Sequence, residues 1–207
     1  MLPLGDDNSN RRIFPFVTYL ILIVNIIVFL LELQGGDAFV EAWAFVPSRF
    51  AANPGREIVN VFTSMFMHAG WMHLGSNMLY LLIFGDNIEN RFGHGRYLFF
   101  YLLSGVAATA LQTFFTLGSN LPIVGASGAI AGILGAYIVL FPTRRVIVLF
   151  IFRLAYLPAI IVIGVWFILQ LLNGVGSFGA ETQTGGIAYM AHIGGFVAGL
   201  VLTLFFR

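Results

Sequence analysis

The apolar residues of this chain are gathered into long runs, and short polar segments separate the runs. Several runs reach the roughly 20 residues that a helix needs to cross about 30 Å of hydrocarbon. The pattern predicts an all-α fold, a polytopic membrane protein with six transmembrane helices. The predicted spans are residues 15–33, 72–87, 97–117, 127–141, 146–172 and 186–206.

Composition agrees with a membrane protein and excludes several kinds of chemistry. The chain of 207 residues is 59% hydrophobic and 9% charged, whereas soluble domains typically have about 25% charged residues. It has no cysteine, which rules out disulfides, a thiol nucleophile and a thiolate metal site. We expect a lipid bilayer around it, and no basic patch predicts nucleic-acid binding.

The basic residues, all of them arginine, predict the orientation of the chain. With the N-terminus in the cytoplasm, the arginines at cytoplasmic ends of spans are Arg11, Arg12, Arg91, Arg96, Arg144, Arg145, Arg153 and Arg207. Only Arg49 and Arg56 would then lie outside. The positive-inside rule therefore predicts that both termini are cytoplasmic.

This orientation gives a cytoplasmic tail, residues 1–14, and one membrane domain, residues 15–207, with a long external loop at 34–71. The loop is rich in aromatic residues, where an ordinary solvated loop would be polar. Aromatic rings favour the membrane interface, so we expect amphipathic structure lying there. A small packed external cap is an equally open alternative.

Few polar or ionisable residues fall within the predicted spans, and at membrane depth such residues mark functional sites by default. The four in the outer halves of spans that run from outside to inside are His73, Asn77, Ser127 and His192. One outward-facing site could contain all four.

Ser127 begins the fourth span and is flanked by Gly125 and Gly128. Glycines around a serine at a helix start leave its hydroxyl uncrowded, as at other nucleophile turns. The span is short, so Ser127 should lie below the outer surface, where unpaired N–H groups and the helix dipole suit an oxyanion. The alternative is a packing patch, in which these glycines let another helix approach.

His192 lies one turn before Gly195 in the sixth span, and Gly195 with Gly199 forms a face of small residues. If this face meets the glycines of the fourth span, the imidazole can reach Ser127 and accept the hydroxyl proton. A structural histidine or an element of a proton path is the alternative.

His73 and Asn77 are four residues apart and share a helix face, where they could donate hydrogen bonds to a developing oxyanion. A polar cluster facing lipid headgroups is the alternative. A metal site could draw nitrogen ligands from His68, His73 and His192, but no His-Glu-x-x-His helix or nearby carboxylate accompanies them. We therefore predict no metal.

In this order the motifs resemble those of the rhomboid family of intramembrane serine proteases. The resemblance rests on His68, His73 and Asn77, on Gly125, Ser127 and Gly128, and on His192, Gly195 and Gly199. Glu89 and Arg91 match a Glu-x-Arg motif of the family, and the resemblance implies that they are structural. It covers roughly residues 62–199.

The resemblance implies a rhomboid-like six-helix bundle in which Ser127 is the nucleophile and His192 is the general base. His73, Asn77 and the Ser127 N–H would form the oxyanion hole. The implied substrates are single-pass transmembrane proteins, cut in or near their membrane segments without a cofactor. We expect a multi-pass protein of the bacterial inner membrane, and the oligomeric state is not predicted.

Two alternative functions stay open: a transporter lined by the polar residues, and an inactive relative that binds membrane clients. The fifth span, ending in a flexible loop at 173–177, is a candidate gate by family likeness. The chain departs from the family at Ala131, where an aromatic residue typically stacks on the histidine; Tyr137 or Tyr189 could compensate. No carboxylate falls near His192 in its helix, so we predict a dyad.

Overall fold

The computed structural model describes residues 1–176 and 188–206. Its helices are α1 Phe16–Trp43, α2 Pro47–Ala52, α3 Pro54–Thr63, α4 Trp71–Phe92, α5 His94–Thr116, α6 Ser127–Leu140, α7 Ala159–Gly176 and α8 Tyr189–Phe206. Its strands are β1 Leu2–Asp6, β2 Arg145–Phe150 and β3 Arg153–Pro158, and a 3-10 turn spans Ser64–Phe66. The predicted start of the last span, residue 186, lies outside the described residues.

Four of these helices, α1, α5, α7 and α8, are long and apolar enough to cross a membrane. α6 is apolar but has only 14 residues, or about 21 Å at 1.5 Å per residue. α4 has 22 residues but includes Asp86, Glu89 and Arg91. Length and composition therefore support four spans and do not establish the predicted six.

The prediction of an all-α fold is wrong at one end of the bundle. β1, β2 and β3 form an antiparallel sheet in that order, and Val146 and Val148 of β2 are fully buried. β2 alternates buried and accessible residues and is rich in Val and Ile, which favours a strand. Its apolar run continues in the sequence into that of α7, which hides the boundary. The fifth long helix therefore begins at Ala159, not at residue 146.

Two further segments differ from the prediction. Residues 1–14 were expected to form a tail, but β1 within them is hydrogen-bonded to β2. The flexible loop expected at 173–177 is helical as far as Gly176, and residue 177 lies outside the described part of the chain.

The external loop expected at 34–71 is largely helical. α1 runs on to Trp43 after a kink at Gly36, where φ is 57°, and α2 and α3 follow. α3 buries Glu57 and Asn60 while Ile58 and Val59 are half exposed. The polar side of α3 therefore faces the protein and its apolar residues are exposed, which fits the expected position at a membrane interface. The packed polar side fits the alternative of a packed cap equally well.

α6 is the centre of the bundle. It packs against α4, α5 and α8, and every residue from 128 to 137 is buried. Because Gly and Ala are frequent in α6, its neighbours approach closely. Its first residue, Ser127, is consequently held in place by three surrounding helices.

The arginines of the N-terminal segment and of the α6–β2 connection lie at one end of the bundle. Arg11 forms an ion pair with Asp86 near the end of α4, and Arg144 donates a hydrogen bond to Asn87. We call this the basic end. Ser127 lies at the opposite end of α6.

Candidate active site

The turn before Ser127 is shaped by Gly125. Its φ of 134° is one that side chains rarely adopt. A Cβ at Gly125 would lie 2.9 Å from the ring of His73 and 3.4 Å from the Ser127 Oγ. The Gly125 N–H donates to the Ser64 carbonyl at 2.9 Å, which fixes the turn to the 3-10 segment. The glycine therefore lets His73 and Ser127 border the same small space.

α8 packs directly on α6 because glycines face each other across the contact. A Cβ at Gly195 would clash with the backbone carbonyl of Gly128, and one at Gly199 would clash with that of Gly132. A Cβ on Gly128 would also lie 2.5 Å from the Cβ of Ala108 in α5. These small residues bring the backbones of α6 and α8 into contact, as on other small-xxx-small faces.

Ser127 and His192 are hydrogen-bonded across this contact. The Ser127 Oγ lies 2.8 Å from the His192 Nε2, and both residues are partly accessible. In this arrangement an imidazole can accept the proton of a serine hydroxyl. The structure thus places the residues predicted as nucleophile and base in direct contact.

The start of α6 presents free backbone donors beside Ser127. The first hydrogen bond of the helix joins the Ile130 N–H to the Ala126 carbonyl at 3.0 Å. The N–H groups of Ser127, Gly128 and Ala129 precede that bond and have no acceptor within the helix. Together with the positive end of the helix dipole, they favour a negative charge at this point.

His73 and Asn77, one turn apart on α4, contribute side-chain donors. The His73 Nδ1 accepts a hydrogen bond from the Ala69 N–H at 3.3 Å, so the proton of the neutral ring is on Nε2, the atom beside Gly125. Asn77 is 6% exposed, and its Nδ2 has no hydrogen-bond partner among the described residues. A buried donor without a partner is uncommon, and a bound oxyanion would supply one.

Two residues of α7 contact His192, and the sequence did not predict either contact. The Gln170 Oε1 lies 2.7 Å from the His192 Nδ1. The Trp166 ring lies against the imidazole, with centroids 5.9 Å apart and planes tilted by 36°. In the sequence, Gln170 stood out only as a polar residue at membrane depth, and that does not indicate which residue its side chain contacts.

The contact with Trp166 also bears on Ala131, the position where the family typically has an aromatic residue that stacks on the histidine. Ala131 is fully buried. Tyr189, one of the two rings expected to compensate, meets His192 edge-on with centroids 6.5 Å apart. Tyr137, the other, packs against Phe84 and Phe141, away from the site, so Tyr189 is the one of the two that contacts His192. Trp166, from a different helix, supplies the second ring at the histidine.

Glu89, near the end of α4, is fully buried against the start of α1. Its carboxylate accepts hydrogen bonds from the N–H groups of Val17 at 2.8 Å and Thr18 at 2.7 Å, and the His94 Nδ1 lies 2.5 Å from it. A carboxylate that satisfies the free N–H groups of a helix start has a structural role. Arg91 is exposed, and among the described residues its side chain has no hydrogen bond or ion pair that would give it a similar role.

His68 is buried beside His73, with ring centroids 5.0 Å apart. Burial, together with the neighbouring His73, lowers the pKa of His68 to about 3, so its ring is neutral near pH 7. Across residues 1–176 and 188–206, no group of three or more His, Cys, Asp or Glu side chains is arranged to hold a metal ion.

A narrow cavity of about 20 Å³ opens beside Ser127, with room for roughly one water molecule. Small residues form much of its wall, including Gly105, Ala108, Gly128 and Ala191. Only a small group can therefore enter next to the hydroxyl.

Residues 55–207 match the Rhomboid domain family. The chain is 27% identical over 190 residues to Rhomboid protein 1, mitochondrial, of Saccharomyces cerevisiae, covering 89% of this chain and 51% of that protein. It is 36% identical over 124 residues to Rhomboid protease GluP of Bacillus subtilis, covering 59% and 24%. With Rhomboid-type serine protease 2 of Emericella nidulans it shares 30% identity over 152 residues, covering 68% and 25%.

This chain spans about half or less of the length of these relatives. Their names and sources include a mitochondrial protein and a bacterial one, so they do not support a bacterial inner membrane over other membranes. Because the family match covers most of the chain and four helices can cross a bilayer, this protein is a multi-pass integral membrane protein that belongs to the rhomboid family.

Proposed function

We propose that this protein is an intramembrane serine endopeptidase that uses Ser127 as its nucleophile and His192 as its general base. The observation that carries the proposal is the 2.8 Å hydrogen bond between the Ser127 Oγ and the His192 Nε2. Relatives named as a rhomboid protease and a rhomboid-type serine protease support the reaction class.

In the proposed reaction the His192 Nε2 removes the hydroxyl proton as the Ser127 Oγ attacks the carbonyl carbon of the scissile peptide bond. The tetrahedral intermediate collapses when His192 returns that proton to the leaving amine, which leaves an acyl-enzyme. Water, deprotonated by the same nitrogen, then attacks the ester carbonyl. The bond to the Ser127 Oγ breaks as His192 returns the proton to that oxygen, which releases the second product and restores the hydroxyl. The reaction needs no cofactor.

The oxyanion of the intermediate would be held by three kinds of donor around the start of α6. They are the Ser127 N–H, the Nε2–H of His73 and the Nδ2 of Asn77. The unpartnered state of the buried Asn77 donor and the placement of the His73 ring beside Gly125 support this assignment. Fixed donors aimed at a developing charge usually make the largest single contribution to catalysis.

We further propose that α1, α4, α5, α6, α7 and α8 all cross the membrane, with both termini in the cytoplasm. The clustering of arginines at the basic end supports this orientation, because cytoplasmic ends are enriched in Arg. The short α6 would then begin below the external surface, where Ser127 faces a cavity that admits water.

The proposed substrates are single-pass membrane proteins with a small residue before the cleaved bond. Support comes from the narrow cavity beside Ser127 and its small wall residues. α7 offers a route of entry from the bilayer, since only 22% of its apolar stretch is buried, against 44% of that of α5. A helix with few packing contacts can be displaced more easily than its neighbours.

The test uses the full chain, purified in detergent, with a single-pass transmembrane substrate and with a fluorophosphonate probe. We expect cleavage and covalent labelling, and we expect both to be lost in Ser127→Ala and His192→Ala. Ser9→Ala, an exposed serine near the basic end, is the matched control and should keep both. Cleavage that survives Ser127→Ala would refute the proposal, and binding of substrate without labelling would indicate an inactive relative.

A further inference from the structure

Both ring nitrogens of His192 are engaged, and their partners come from different helices. Nε2 faces the Ser127 hydroxyl on α6 at 2.8 Å, and Nδ1 faces the Gln170 Oε1 on α7 at 2.7 Å. An amide oxygen can only accept a hydrogen bond. Nδ1 must therefore carry the ring proton, which leaves the lone pair of Nε2 directed at the hydroxyl.

The orientation of the Gln170 amide is supported by its other end. The Nε2 of Gln170 donates to the Trp166 carbonyl one turn earlier in α7, at 3.4 Å. With the nitrogen occupied there, the oxygen is the atom presented to His192. The ring of Trp166 also contacts the imidazole, so one face of α7 fixes both the hydrogen bonding and the tilt of the histidine.

We infer that Gln170 is a positioning residue for the catalytic histidine, doing with a neutral amide what a carboxylate does in a serine protease triad. The inference rests on the proposed function, because it assigns a partner to the base of the proposed dyad. Without an acceptor at Nδ1, the neutral ring can place its proton on Nε2, and that tautomer cannot accept the proton of Ser127. Gln170 makes the productive tautomer the stable one.

The position of Gln170 has a further consequence for the site. Ser127 and His192 are held together by the glycine contact between α6 and α8. Gln170 belongs to α7, which is less buried than α8. The dyad is therefore fully ordered only while α7 packs against α8. A displacement of α7 by a few ångströms breaks the hydrogen bond to Nδ1 while the hydroxyl and the imidazole stay adjacent.

Kinetics with two substitutions separate positioning from packing. Gln170→Met keeps the length of the side chain and removes the acceptor, so we expect kcat to fall about 10- to 100-fold with KM within about twofold. Gln170→Glu keeps an acceptor and should recover kcat to within about threefold of the original protein. Leu172→Met, on an exposed position of the same helix, should leave kcat and KM unchanged.

A readout that does not need turnover is the nitrogen chemical shifts of the imidazole, measured on chain labelled with ¹⁵N-histidine. His192 is assigned by the signal that is absent from His192→Gln. We expect Nδ1 to appear protonated and Nε2 unprotonated above pH 7, and we expect Gln170→Met to shift the ring toward the other tautomer.

The inference is overturned if Nε2 carries the proton in the unaltered protein, or if Gln170→Met leaves both kcat and the ring signals unchanged. If Gln170 had a purely structural role, Gln170→Met and Gln170→Glu would lower the melting temperature equally. That result would also overturn the inference. Failure of the proposed function looks different: either the original protein neither cleaves nor is labelled, or Ser127→Ala still cleaves, and in both cases the result is the same whatever stands at position 170. The nitrogen shifts of His192 test the role of Gln170 in either case.

Discussion

The phenol of Tyr137 donates a hydrogen bond to the carboxylate of Asp6, so the helix that begins at Ser127 is joined at its other end to the first strand. Asn87 donates to the same carboxylate at 2.8 Å. Burial raises the pKa of Asp6 from 3.8 to about 6, against the hydrogen bond from Tyr137 and the nearby arginines, which lower it. Asp6 therefore takes up a proton in the folded state near pH 6.

This raised pKa predicts how Asp6→Asn changes the pH dependence of stability. Between about pH 4 and pH 6 folded Asp6 binds more protons than unfolded Asp6, so its contribution to the free energy of unfolding falls as pH rises and is constant above that window. Asn cannot titrate. We expect Asp6→Asn and the original protein to melt at the same temperature near pH 4. Above pH 6.5 the variant should melt at a higher temperature, with a free energy of unfolding larger by at most about 3 kcal/mol.

The matched control for this measurement is Asp7→Asn, next to it on the exposed surface. Hydrogen bonds from Ser9 lower the pKa of Asp7, so neutralising it should not stabilise the protein at pH 7. If Asp6→Asn differed from the original protein by the same amount at every pH, the difference would come from packing and not from the titration of Asp6.

The cap formed by Glu89 predicts a loss of stability without a loss of catalysis. The carboxylate accepts hydrogen bonds from two N–H groups at the start of α1 and from the Thr18 hydroxyl. Glu89→Gln removes the charge and leaves only one accepting oxygen, so we expect unfolding to be easier by about 1–3 kcal/mol.

The melting temperature and kcat of Glu89→Gln should be measured together, because Glu89 lies near the basic end and far along α4 from His73. kcat of the folded fraction should be unchanged. Glu41→Gln, at an exposed position, should alter neither quantity. A drop in kcat at full stability would show that Glu89 acts on the site.

The sequence predicted those parts of the site that depend on particular residue types at a fixed spacing along one helix. Glycines spaced by four residues favour a close helix contact, so Gly195 and Gly199 predicted a packing face on α8, and its contact with the glycines of α6 was one hypothesis. Gln170 carried no such pattern. Its hydrogen bond to His192 depends on the rotation of α7 against α8, which three-dimensional packing decides.

The fold was predicted where hydropathy and length agree and missed where they conflict. The boundary at Ser127 is visible because Gly125 breaks the preceding segment. β2 is an almost continuous apolar run, and the only sign of a strand in its sequence is its Val and Ile content. β3 lacks Val and Ile altogether. A prediction from hydropathy therefore merged the hairpin with α7.

The unpartnered donor of Asn77 predicts a large kinetic effect and a small structural one. Loss of one oxyanion donor typically lowers kcat by about 10²- to 10³-fold. Because the Asn77 Nδ2 bonds to no described residue, Asn77→Ala should leave the melting temperature within a few degrees. Turnover of the transmembrane substrate and thermal unfolding are the two measurements.

Asn10→Ala, an exposed asparagine near the basic end, is the control for Asn77→Ala and should keep full activity. If Asn77→Ala cleaves substrate at the original rate, Asn77 is not part of the oxyanion hole. The remaining donors, the Ser127 N–H and the His73 ring, would then have to hold the charge alone.

The contact between Gly195 and Gly128 predicts that one added methyl group separates the dyad. A Cβ at position 195 would overlap the Gly128 carbonyl and lie 3.4 Å from the Cβ of Ala131, and backbone cannot move aside as a flexible side chain can. α8 must shift, which costs about 1–3 kcal/mol and lengthens the hydrogen bond between His192 and Ser127. We expect Gly195→Ala to melt at lower temperature and to lose most of its turnover and fluorophosphonate labelling.

Gly164→Ala is the matched control, because a Cβ at that position in α7 meets no atom within 4 Å. Alanine is also the better helix former, so this variant should be as stable as the original protein or slightly more stable, and fully active. The pair separates the effect of close contact from that of replacing a helical glycine in general. Full activity and an unchanged melting temperature in Gly195→Ala would show that α6 and α8 do not need to touch at this point for Ser127 and His192 to meet.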